Sequence, residues 1–173
     1  MHALASLAYL IVTGTTTAPR AIELVHGLLV RFAQVITIAT PNAAPVIAVR
    51  ELSSIPGNRL VESYFDAAIL PRPPEGLVLV APCSFNSLNK LAHGLADNLA
   101  LSLTSEAIGR GTPVIVALSL NPPLYRHPLV GRSVATLREW GVHVIEPVDL
   151  GDGLRMAPTD AILTEVDRYK AFE

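Results

Sequence analysis

The sequence predicts an α/β fold in which a doubly wound parallel sheet, of Rossmann or flavodoxin type, is flanked by helices. Three observations carry this. Short, almost wholly apolar runs recur along the chain (Leu7–Val12, Val35–Ile38, Leu77–Val80, Val114–Ala117, Val142–Ile145), and strands apolar on both faces belong in a sheet covered on both sides. Helical patterning separates most of these runs. Polar turns follow three of them, at Thr13–Thr17, Thr40–Asn42 and Pro82–Asn86, at the strand ends where such sheets bind ligands.

Taken in order, Leu7–Val12 reads as the first strand. It lacks a basic leader and runs directly into a Thr-rich turn, so it is not read as a signal segment. Pro19–Phe32 reads as a helix, with Pro19 in its first turn and Ile22, Val25, Leu29 and Phe32 on one face. Gln34–Ala39 is a strand, Pro45–Val49 a short strand or an extended segment, and Arg59–Ile69 a weak helix. Pro71–Gly76 is a loop and Leu77–Ala81 a buried strand. Asn86–Arg110 is one long helix, or two broken near Gly94–Asp97, and Gly109 and Gly111 stop it. Pro113–Leu118 is a strand, Asn121–His127 a proline-rich loop, Pro128–Trp140 a helix and Val142–Ile145 the last clear strand. Asp160–Phe172 suggests a closing helix.

The chain has 173 residues, enough for one domain spanning 1–173 with a real core. Half of them are hydrophobic and only 16% are charged, a balance that suggests faces buried in an oligomer as well as a covered sheet. The net charge is −2 and no Lys/Arg cluster stands out, which argues against nucleic acid as a partner. No segment is suited to span a bilayer, so no membrane partner is expected. A single cysteine, Cys83, excludes an internal disulfide and points to a reducing, cytoplasmic setting. His26, His127 and His143 lack metal-ligand spacing, so no metal is expected, and His93 on the long helix reads as a surface or interface imidazole rather than a catalytic one. Cys83 has no nearby base in sequence and reads as a small packing residue.

Gly14, Thr15, Thr16 and Thr17 sit between the first strand and the first helix. Such a loop is either an anion cradle at a helix N-terminus or an ordinary Thr-capped turn. Thr40 and Asn42 occupy the equivalent turn after the second strand. The run from Pro82 to Leu99 is the most specific. Pro82, Ser84, Asn86, Lys90, Ala92, Gly94, Asp97, Asn98 and Leu99 fall in the order Pro-x-[Ser/Thr]-x-Asn-x-x-x-Lys-x-Ala-x-Gly-x-x-Asp-Asn-Leu. This order resembles the signature of the homo-oligomeric flavin-containing cysteine decarboxylases, over about Leu7 to Pro147. The resemblance implies FMN (or FAD) as cofactor and a trimer or a dodecamer of trimers. It implies flavin contacts from Gly14, Thr15, Thr16, Thr17, Thr40, Asn42, Pro82, Ser84, Phe85 and Asn86, with Asp97 and Asn98 capping or locking a subunit contact.

Leu118-Ser-Leu-Asn-Pro-Pro-Leu-Tyr125 resembles the family's substrate-recognition loop, with Asn121 retained and Tyr125 in place of a Trp. The resemblance implies that Asn121 holds a substrate carboxylate; the residue alone reads equally as a turn amide. Gly151–Pro158 resembles the family's flap. Two features depart from the pattern. The position of the family's catalytic His is occupied by Ala68, leaving Asp66 as the nearest titratable group, and no cysteine follows Cys83. The missing cysteine disfavours a phosphopantothenoylcysteine decarboxylase. The expected function is therefore oxidative decarboxylation of a peptide C-terminal cysteine in ribosomal peptide natural-product biosynthesis, on a peptide or small cysteine-containing substrate, with Asn121 and Asp66 as candidate catalytic residues. A flavin prenyltransferase-like transferase and a non-catalytic flavin-binding partner subunit are the alternatives.

Overall fold

The computed structural model describes residues 5–170. Strands β1 (Ala5–Val12), β2 (Phe32–Ala39), β3 (Asn58–Leu60), β4 (Leu77–Cys83), β5 (Val114–Leu118) and β6 (His143–Ile145) form one sheet in the order β3-β2-β1-β4-β5-β6. Every pairing in it is parallel. Helices α1 (Ala21–Leu29), α2 (Val49–Ser54), α3 (Phe85–Ala92), α4 (Leu99–Arg110), α5 (Pro122–Tyr125), α6 (Pro128–Glu139) and α7 (Thr159–Lys170) complete the chain, with a small antiparallel ribbon of β7 (Val148–Asp149) and β8 (Leu154–Arg155).

Side-chain alternation on the strands explains the two layers. Leu7, Tyr9 and Ile11 of β1 pack with Leu88 and Leu91 of α3, Leu101 of α4 and Val134 of α6. Ala8, Leu10 and Val12 face Leu24 and Leu28 of α1, Leu52 of α2 and Ile162 of α7. The strand order reverses between β1 and β4. Because all six strands are parallel, their carboxyl ends open a crevice at that switch point.

Several expectations are corrected. The first helix begins after a single 3-10 turn, Ala18–Arg20, and ends at Leu29. Its buried face is Ala21, Leu24, Val25 and Leu28, with Ile22 and Leu29 only partly covered, and Phe32 opens β2 instead. Phe32 pairs opposite Ala5 and is buried, so the sheet claims the apolar residue that helical spacing had assigned to α1. Residues 45–47 form a turn and a bend rather than a strand, and the helix α2 that follows was not anticipated. Residues 59–69 are not helical. Asn58 accepts a hydrogen bond from Thr37 Oγ1 at 2.7 Å and donates to Leu52 O at 2.9 Å, which seats β3 against β2. The stretch Asn86–Arg110 divides into α3 and α4, because Gly94 takes φ +68° and the Asn98 side chain starts a new helix by accepting from Leu101 N at 3.0 Å. The proline-rich loop contains the short α5. The closing helix runs Thr159–Lys170; the expected extension to Phe172 lies outside the described residues.

Candidate functional site

The crevice is two adjoining clefts. The larger, about 930 Å³, lies between the ends of β1, β4 and β5, beneath the β7–β8 ribbon. Of the residues singled out in the sequence, Gly14, Thr15, Thr16, Thr17, Ser84, Phe85 and Asn121 line it. The smaller, about 320 Å³, lies between the β1, β2 and β4 turns and the start of α4, lined by Gly14, Thr40, Asn42, Ser84, Asn86, Asp97 and Asn98. Gly14 and Ser84 line both and form the rib between them. Pro82 and Asp66 line neither.

The rib is tightly made. A Cβ on Gly14 would lie 2.8 Å from the Asn42 carbonyl carbon and 2.9 Å from its oxygen, so only glycine lets the β1 and β2 turns approach this closely. Pro82 is buried where the register between β4 and β5 shifts. The fully buried Thr13 hydroxyl donates to Pro82 O at 2.7 Å and accepts from Ser84 N at 2.8 Å. Ser84 Oγ in turn accepts from Ser87 N at 3.2 Å and so caps α3. Phe85 sets its ring at 76° to that of His127, 5.3 Å between centroids, joining the β4 turn to the start of α6.

The Thr loop is joined to β5 by a chain of hydroxyls. Thr15 Oγ1 and Thr17 Oγ1 are 2.8 Å apart, and Thr17 Oγ1 and Ser119 Oγ 2.7 Å. Three hydroxyl protons serve two hydrogen bonds within this chain, so one remains to donate outward into the larger cleft. That inventory fits an anion, and the start of the first helix adds its dipole. Thr13 belonged to the polar turn read from the sequence as an anion cradle, but here its hydroxyl is spent on the β4 turn. Ser119 had no role of its own in the sequence; its only signal was a hydroxyl residue just past an apolar strand.

Asn121 caps α5, its Oδ1 accepting from Leu124 N at 3.0 Å, while Nδ2 has no partner among the described residues. Both readings left open by the sequence therefore find an atom. Tyr125 turns from the cleft and donates to Glu146 Oε2 at 2.8 Å; that bond raises its pKa, and Leu124 lines the cleft instead. Asp66 pairs with Arg59 at 2.6 Å and accepts from Ala68 N at 2.8 Å, away from both clefts of its own chain. Lys90 and Asp97 pair beside Asn98. Burial pushes the Cys83 thiol up to about 12, in keeping with a packing role.

The ribbon covering the larger cleft turns at Leu150–Gly153, where Gly151 and Gly153 take φ of +91° and +123°. Asp152 and Arg155 pair across it. At its base Arg20 donates to Ala157 O at 3.0 Å and Thr159 Oγ1 at 2.8 Å. Leu150 sits on the ribbon, 62% exposed.

Residues 6–170 match the flavoprotein family. A probable phosphopantothenoylcysteine decarboxylase of Streptococcus mutans is 28% identical over 173 residues, covering 91% of this chain and 95% of that protein. A coenzyme A biosynthesis bifunctional protein of Thermococcus kodakarensis is 27% identical over 144 residues, 80% of this chain but only 36% of the relative, so this chain spans about a third of that protein. Among solved structures, HAL3 from Cryptococcus neoformans superposes with a TM-score of 0.77 at 26% identity, covering 97% of each chain. The peptidyl-cysteine decarboxylase EpiD superposes with a TM-score of 0.79 over 94% of this chain and 99% of that one; at 19% identity it shows a shared fold. With the match running from β1 through to α7, across every turn that lines the two clefts, the chain belongs to the flavoprotein family.

Proposed function

We propose that this chain binds FMN across the rib between the two clefts and oxidatively decarboxylates a C-terminal cysteine of a peptide in natural-product biosynthesis. The observation that carries the reading is the placement of Gly14 and Ser84 at the junction of the clefts, with the hydroxyl chain and Asn121 both lining the larger one. Thr15, Thr17 and Ser119 would take the cofactor's anionic end; Ser84, Asn86 and Thr40 would meet its polar ring edge. When bound, the flavin supplies two-electron oxidation of the substrate thiol. Asn121 Nδ2 donates to the substrate carboxylate. Leu120, Leu124 and Leu150 give the larger cleft an apolar wall that excludes water.

A second copy of the chain is part of this proposal. Phe65 is 85% exposed, Leu95 54% and Tyr64 48%. They neighbour one another, because Tyr64 Oη bonds Ser102 Oγ, which donates to Ala96 O. An apolar patch of this kind suits a partner. Asp66 follows Phe65 in sequence and can serve a crevice only across such a contact.

The Streptococcus mutans relative favours a second reading, decarboxylation of phosphopantothenoylcysteine. Against it, no cysteine follows Cys83 in the sequence, and Cys83 itself is buried in β4. Mass spectrometry separates the two. A Cys-ended peptide losing carbon dioxide and two hydrogens supports the first; phosphopantothenoylcysteine losing carbon dioxide alone supports the second. Bound flavin with neither product would make the chain a non-catalytic flavin-binding subunit.

A further inference from the structure

We infer that Thr13 is a positioning residue of the crevice: its hydroxyl sets the place of Ser84, and through Ser84 the shape of both clefts. The inference rests on the flavin reading only for its binding readout. Thr13 directly follows β1 and has no exposed surface, so water cannot replace its hydrogen bonds. The hydroxyl uses both of its capacities within one turn of β4, donating to Pro82 O at 2.7 Å and accepting from Ser84 N at 2.8 Å. Its backbone N–H reaches the same Pro82 O only at 3.3 Å, so the hydroxyl is the tighter tie between the two central strands at their carboxyl ends. Pairing of β4 with β5 has already changed register between Val80 and Cys83, which leaves Thr13 to hold the turn from the β1 side.

Ser84 is the residue this clamp delivers. Its N–H is fixed by Thr13 and its Oγ by Ser87 N, and it is one of two residues lining both clefts. Without the Thr13 hydroxyl the Ser84 N–H is a half-buried donor with no acceptor, and such a group moves until it finds one. The movement displaces the side chain at the rib. Loss of one hydroxyl, touching no ligand, is then read as loss of affinity.

The test compares wild type, Thr13→Val and Thr13→Ser, stripped of flavin. FMN is titrated by quenching of its fluorescence, the Ser84 amide is followed by hydrogen exchange, and melting is recorded without flavin. Thr13→Val removes both hydrogen bonds of the hydroxyl; it should weaken FMN about tenfold or more, the size of the one that holds Ser84, and should deprotect the Ser84 amide. Thr13→Ser, which keeps the hydroxyl, should restore both. Should Thr13→Val not fold, Thr13→Ala against Thr13→Ser makes the same comparison. FMN bound equally by wild type and Thr13→Val, or a Ser variant as weak as the Val variant, overturns the inference, whatever the melting temperatures do. If wild type takes up no FMN while Thr13→Val still exposes the Ser84 amide, the clamp stands and the flavin reading falls.

Discussion

Replacing Gly14 by Ala separates a steric role at the rib from the general tolerance of glycines in this fold. The added Cβ would stand 2.7 Å from Asn42 Cβ, 2.8 Å from its carbonyl carbon and 2.9 Å from its oxygen. Two of those atoms are backbone, so no rotamer relieves the contact. Bringing the pair to ordinary van der Waals distance parts the β1 and β2 turns by roughly half an ångström or more. Overpacking of this kind costs about 1–3 kcal/mol, nearer the lower value at a turn that can give. For a chain of this size the melting temperature falls by about 2–4 °C for each kcal/mol. The same movement opens the rib shared by both clefts, so FMN affinity should fall by about tenfold. Gly109 of α4 and Gly131 of α6 are the controls, since a Cβ at either meets nothing within 4 Å. Alanine there should stabilise by about 0.5–1 kcal/mol, through helix propensity and a less free unfolded chain. Thermal melts without flavin and FMN titrations measure both effects. A Gly14→Ala protein that melts with the Gly109→Ala protein and binds FMN like wild type would refute the steric argument.

Other outcomes follow from the same geometry. Ser119→Ala removes one end of the hydroxyl chain and should weaken FMN several-fold with little change in melting, checked by titration. Asn121→Ala should lose the α5 cap, about 1 kcal/mol, and abolish peptide decarboxylation at unchanged FMN affinity, checked by melting and turnover side by side. Burial raises the Cys83 thiol from 9.0 and the Tyr9 phenol from 10.0, each to about 12. The folded chain therefore keeps both protonated while the unfolded chain releases them. Stability present below pH 9 should decline towards pH 12, with a slope of ~1.4 kcal/mol per pH unit for each group. Urea midpoints at pH 8, 9.5 and 11 test this, and Cys83→Ala should flatten the first part of the decline.

Five of the six sheet strands were legible as short apolar runs, a pattern that a covered sheet explains; β3, Asn58-Arg59-Leu60, has no such pattern and was missed. Leu77–Val80 and Val114–Ala117 have no second reading of equal length. The stretch 59–69 misled because its mixed pattern was scored as local helix, whereas Asn58 is held by Thr37 and Leu52 from two other elements. The site divides in the same way. Ser84, Asn86, Asp97 and Asn98 lie within one motif and could be read together. Thr17 with Ser119, Thr13 with Ser84, and Gly14 with Asn42 meet only after the sheet forms, and no local signal marks the partner.

The crevice of one chain has donors for an anion and a carboxylate but no free acid–base group among its described lining residues. Lys90 and Asp97 pair with each other, Arg155 with Asp152, and Arg20 is taken up by the ribbon base. Position 68, where the resemblance looks for a base, holds Ala in a loop whose tip is the bare Phe65. In the function proposed above, the proton comes or goes through a contact with another copy, and Asp66 follows Phe65 on the loop proposed to make it. Phe65→Ser removes an exposed side chain, so the fold should melt as wild type. Light scattering should show a smaller particle, and decarboxylation should fall in step with assembly. A Phe65→Ser protein that dissociates yet keeps full turnover would place the whole of catalysis within one crevice, and would leave Asp66 with only its ion pair to Arg59.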